Sequence, residues 1–178
     1  PVANYVPAVR IGNLVYTSGQ LPFVSGKLEF RGKVHEGADG TVTPEQAVSA
    51  ARQCTLNALA AIDALVGLDS ITRIVKVTGY VASGPGFSGQ PQVLNGASDL
   101  LADIFGDAGV HARSAVGVAE LVGATQRVGD LGVGGVGIQA RLGDRVGARG
   151  GELPALVRIA RLEDHRPPLR AARHPECA

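Results

Sequence analysis

The sequence predicts an α+β fold, a mixed β-sheet with two helices packed on one face. Three observations lead there. Short runs with period-two alternation recur along the chain, two segments carry apolar stripes at helical spacing, and together they follow the order β-β-(β)-α-β-α-β. Helices that are apolar on one side need a single sheet face to cover.

"YVPAVRIGNLVYTSGQ" reads as a β-hairpin turning at Gly12-Asn13, a pair tolerant of positive φ. "GKLEFRGKV" sets Leu28 and Phe30 on one face of a further short strand, opened by a Ser25-Gly26 turn, and residues 35–42 form a polar loop. "TPEQAVSAARQCTLNALAAIDALVG" is the clearest helix. Thr43 is the N-cap, Pro44 suits the first helical position, and Gln46 completes a capping box. Ala47, Ala51, Cys54, Ala58, Ile62 and Leu65 make a narrow stripe, and Gly67 is the stop.

"ITRIVKVTGYVAS" alternates as a strand, with Val75, Val77 and Val81 on one face and Lys76, Thr78 and Tyr80 on the other. "PQVLNGASDLLADIFG" puts Val93, Ala97, Leu100, Leu101 and Ile104 on one helical face, closed by Gly106. "RSAVGVAEL" is a strand with Val116 and Val118 on one side, and a final strand is due after it.

The chain has 178 residues, enough for one domain with a real core. Its 45% hydrophobic and 19% charged content fits a soluble globular protein, without an apolar run long enough for a membrane span. No signal-peptide pattern is legible, and Pro1 in place of an initiator methionine implies that at least that residue is missing. Two cysteines, Cys54 and Cys177, cannot build a disulfide framework, so a reducing cytoplasmic home is expected.

Motif matches carry less. "GPGFSG" fits G-x-G-x-x-G between a strand and a helix, but the acid at the right distance, Asp103, falls inside the helix, so turn glycines explain it better than a dinucleotide. "GVGGVG" from Gly132 has no clear strand before it and reads as glycine-rich coil. His165, His174 and Cys177 fit no standard zinc spacing, so no metal or cofactor is expected. Ser18 lacks the G-x-S-x-G elbow, and its ordinary role would be a hydrogen bond at a strand end. Arg113 stands immediately before a strand. It is either a surface arginine or a guanidinium fork that grips a carboxylate through two parallel hydrogen bonds.

"NYVPAVRIGNLVYTSGQLPF" and "HARSAVGVAEL", with the elements between them, resemble the Rid/YjgF family of reactive-intermediate deaminases, whose older name is L-PSP-type endoribonuclease. The likeness covers residues 1–121, and the longer loops around 31–43 and 83–90 resemble a longer-chain branch. The resemblance implies a chorismate-mutase-like fold and a homotrimer whose sheets form a central barrel, with sites in the clefts between subunits. It implies a cofactor-free reaction, the hydrolysis of 2-aminoacrylate-type enamines and imines to 2-keto acids and ammonia. By position it makes Arg113 the carboxylate-binding arginine, and Tyr5 and Ser18 the site tyrosine and serine. Asn95 becomes the site asparagine if one residue is inserted before Arg113, and Ala115 stands where well-studied members have cysteine. The glutamate thought to orient water would be fifteen residues after Arg113, where this chain has Val128. The nearest acids, Glu120 and Asp130, do not match. A non-catalytic member that binds small carboxylates or a protein is the alternative implied by that departure.

Beyond Leu121 the composition breaks. Residues 1–121 carry 8 Lys+Arg against 10 Asp+Glu, whereas 122–178 carry 9 against 6, all nine cations being Arg, with no aromatic residue. Such a Gly/Arg/Ala-rich tail is expected to be mostly disordered, with the last strand missing or poorly replaced, "QRVGDLGV" being the candidate substitute. A reading-frame shift near Leu121 would account for it; an authentic extension is the alternative. Its charge could touch RNA, but without stacking aromatics sequence-specific nucleic-acid binding is not expected.

Overall fold

The computed structural model describes residues 4–37, 41–121 and 134–143. Strands β1 (Ala8–Ile11) and β2 (Leu14–Thr17) form the expected hairpin, in which Gly12 takes φ 59°. Strands β3 (Phe23–Val24) and β4 (Lys27–Leu28) form a second, two-residue hairpin, with Ser25 at φ 49° and Gly26 at φ 77°. Positive φ at both central positions is the type I′ geometry, whose twist matches that of the flanking strands.

Helix α1 (Pro44–Val66) starts as its sequence dictates. The Gln46 N–H donates to Thr43 Oγ1 at 3.2 Å, and the Thr43 N–H donates to Gln46 Oε1 at 3.0 Å. Its buried stripe is broader than expected, adding Ala50, Thr55, Leu56 and Leu59, while Leu65 is exposed. A short α2 (Gln90–Val93) precedes α3 (Asn95–Phe105), which buries Ala97, Leu100, Leu101 and Ile104. Small residues let α1 and α3 close together. At Gly96 any Cβ would overlap the Val48 carbonyl of α1.

Strand β5 (Ile71–Ala82) lies parallel to β6 (Ala112–Val118) and antiparallel to β7 (Gly134–Leu142). The five-stranded order is β1-β2-β7-β5-β6, with the helices on one face. Val75 departs from the expected alternation. A register shift between Ile74 and Lys76 puts Ile74 and Val77 in the core and leaves Val75 exposed. Val116 is also exposed, on the face away from the helices.

The structure corrects the expectation of a missing or poorly replaced last strand. β7 lies in the middle of the sheet, eight residues beyond the start of the "QRVGDLGV" candidate at Gln126, which falls outside the described residues. The physical reason is a period-two set hidden among glycines. Val136, Ile138, Ala140 and Leu142 are all buried against the helices. The intervening Gly135 and Gly137 lie opposite Tyr80 and Thr78. The Ile138 N–H donates to Thr17 Oγ1 at 2.9 Å, and Gln20 and Val136 exchange both backbone hydrogen bonds, so β7 is held on the β2 side beyond its three-pair ladder. The coil expected for "GVGGVG" is therefore partly strand. Val128, Asp130, His165, His174 and Cys177, and the question of disorder across most of 122–178, lie outside the described residues.

Candidate active site

Arg113 sits on the edge strand β6, opposite Val77 of β5, so its side chain leaves on the helix-bearing face at the rim of the sheet. There it meets the first turn of α3. Its Nη1 donates to Asn95 Oδ1 at 2.9 Å and to Ser98 Oγ at 3.1 Å. Asn95 and Ser98 are three apart on a helix and so share one face. Both acceptors are neutral, and among the described residues no carboxylate bonds to Arg113. The guanidinium is thus held in place by neutral partners among the described residues. With both Nη1 protons engaged, the Nε–H and Nη2–H remain as a parallel pair, the geometry that takes a carboxylate through two bonds.

Ser98 and His111 stand behind Arg113, and the sequence did not single them out. Ser98 Oγ lies 3.1 Å from His111 Nε2, and His111 Nδ1 lies 2.6 Å from the Gly109 carbonyl. The visible signals were the three-residue spacing of Asn95 and Ser98 and the histidine two residues before the arginine. Gly109 is itself fixed by close packing, because a Cβ there would overlap the Leu101 carbonyl. Ala115 points to the same face as Arg113 but packs against the core.

Tyr5 and Ser18 are brought together elsewhere. Ser18 Oγ donates to the Val6 carbonyl at 2.6 Å, tying the segment that carries the exposed Tyr5 to the end of β2. Three strand spacings separate β2 from β6, a lateral distance of about 14 Å. Within one chain these residues and Arg113 cannot touch the same small molecule. A separate cleft of about 640 Å³ lies between His35, Glu36, Pro44 and the 85–89 loop, and Arg113 does not line it.

A mixed sheet with helices packed on one face defines the class of fold. Residues 1–121 match the family model described as "YjgF/chorismate_mutase-like, putative endoribonuclease". The chain belongs to this YjgF/chorismate-mutase-like family. It is 45% identical over 129 residues to protein TCP17 of Trypanosoma cruzi, a match covering 68% of this chain and 74% of that one. It is similar to the crystal structure of Atu1372 from Agrobacterium tumefaciens, a protein of unknown function, at 38% identity and TM-score 0.69, over 79% of this chain and 83% of that one. A "putative endoribonuclease" of Shewanella oneidensis is similar at 33% identity and TM-score 0.70, over 80% and 87% of the two chains. The Rid/YjgF membership and the mixed α+β fold expected from the sequence both hold. Among the described residues no helix is long and apolar enough to cross a membrane.

Proposed function

We propose that the chain is a hydrolase of reactive imines and enamines. Arg113 clasps the carboxylate of a small 2-imino acid, and water adds to the C=N carbon. The carbon–nitrogen bond then breaks, water supplies the oxygen of the 2-keto acid, and the nitrogen leaves as ammonia. The observation that carries this is the edge arginine held through Nη1 by the neutral Asn95 and Ser98, with no carboxylate among the described residues bonded to it. The protein's share of catalysis on that side is fixing the electrophile.

The distance between Arg113 and the Tyr5–Ser18 pair supports a site completed by another copy. The β1–β2 side of one chain would face β6 of the next, in a homotrimer. The uncovered sheet face offers Val9, Ile11, Tyr80 and Val116, all exposed, as apolar contact surface for that association. A reducing cytoplasmic setting suits Cys54, a buried free thiol.

One observation favours a second possibility, a member that binds small carboxylates without turning them over. β7, the last described strand, carries no acid between Gly134 and Leu142, and Val128, the glutamate position the resemblance implied, lies outside the described residues. Loss of a general base would lower turnover by about 10²–10⁴-fold while leaving binding intact. The deciding assay generates 2-iminobutyrate with an amino-acid oxidase and follows its decay with and without the protein, alongside calorimetric titration with 2-ketobutyrate. Accelerated decay supports the hydrolase, and binding without acceleration supports the second possibility. Arg113→Ala should abolish either signal; an unchanged rate and affinity would remove Arg113 from the site.

A further inference from the structure

The hydrogen bonds behind Arg113 have a direction that can be deduced atom by atom. The Gly109 carbonyl can only accept, so His111 Nδ1, 2.6 Å away, must carry a proton. In neutral His111 the Nε2 is then an acceptor, and the Ser98 hydroxyl, 3.1 Å away, must donate to it. With its proton so committed, Ser98 Oγ presents only lone pairs to Arg113 Nη1. Asn95 must likewise present its oxygen, because a guanidinium has no acceptor.

We propose that Ser98 and His111 are positioning residues. They form a one-way chain, Arg113 to Ser98 to His111 to the Gly109 carbonyl, that fixes the guanidinium so that its Nε–H and Nη2–H edge meets the ligand carboxylate. The inference deepens the proposed function and rests on Arg113 binding a carboxylate, though not on turnover. His111 never touches the ligand; it acts by orienting the Ser98 proton. Asn95 alone would hold one Nη1 proton and leave the plane free to swing about that bond. A second acceptor defines the plane. The anchor is rigid, because Gly109 is buried and packed against the last turns of α3.

Two measurements on the full chain test this. Long-range proton–nitrogen NMR of the imidazole at pH 8 should show the Nδ1–H tautomer for His111; finding Nε2–H instead would overturn the chain's direction. Calorimetry with 2-ketobutyrate supplies the functional arm. Ser98→Ala and His111→Ala should each weaken binding about two- to tenfold. The double variant should be no weaker than Ser98→Ala alone, because His111 acts only through Ser98. His111→Gln, which can return an acceptor near Nε2, should recover part of the loss, with thermal melts confirming folded protein. Additive losses, or affinities unchanged in both single variants, would overturn the inference while Arg113→Ala still abolished binding. If the wild type bound no carboxylate at all, the proposed function itself would fall, and this inference with it.

Discussion

Ile138→Ala and Gly137→Ala, two neighbours on β7, should have opposite consequences. Ile138 is 1% exposed and packs into the core shared with the helices. Replacing it with alanine removes three carbons, at about 0.8 kcal/mol each for transfer alone. The cavity left in a close-packed core raises the total to about 2.5–4 kcal/mol. Against a whole-domain stability of about 5–15 kcal/mol, that is a large fraction. The expected fall in melting temperature is about 5–15 °C. Gly137 faces away from the helices without positive φ, and a Cβ there would come no nearer than 3.9 Å to the Thr17 carbonyl oxygen. Gly137→Ala should therefore be neutral or stabilise by about 0.4–1 kcal/mol, because alanine restricts the unfolded chain. Urea titrations with calorimetric melts measure both. A one-residue slip would exchange the two faces. Equal costs, or a loss below about 1 kcal/mol for Ile138→Ala, would show that residues 134–142 are not the central strand in this register.

Other outcomes follow from the same structure. Thr43→Ala removes one half of the reciprocal cap on α1 and should cost about 1 kcal/mol by denaturant titration, with Thr43→Ser close to wild type. Gly96→Ala forces a methyl into the Val48 carbonyl and should cost about 1–3 kcal/mol, the strain easing if α3 shifts. Burial pushes the Cys54 thiol well above its ordinary range, so peptide mapping should find Cys54 itself unmodified by iodoacetamide at pH 8 until the protein unfolds. The same shift has a sign in stability. Above the ordinary thiol range the unfolded chain releases a proton that the folded chain keeps, so stability should fall as pH rises beyond about 8.5. A Cys54→Ala variant should lack that part of the slope.

Much of the scaffold was legible because local chemistry and global packing agreed. Thr43 and Gln46 announce α1 by hydrogen bonds made within four residues and Pro44 by its fixed φ, and the Val93–Ile104 stripe of the second helical segment needs no knowledge of the rest of the chain. Legibility failed where the deciding contact was distant. Glycines hid the alternation of β7, whose strand character comes from β2 and β5 on either side rather than from propensity. Val75 was misplaced because a register shift cannot be read from alternation alone. At the site, Arg113 and Asn95 could be singled out through the family resemblance. Ser98 and His111 could not, because a serine–imidazole pair gains meaning only once α3 and β6 are set side by side.

The position of β7 also governs the order in which this protein can acquire its shape. Tyr16 pairs with Gln139, so the link joining the amino-terminal hairpin to the rest of the sheet spans more than a hundred residues of chain. During synthesis that hairpin emerges early and finds no lateral neighbour on its inner side until residue 142 has left the ribosome. Contacts of such high sequence separation are slow to form, and the incomplete sheet meanwhile offers raw edges to other nascent chains. The central sheet of this protein is thus incomplete until its last described strand is available.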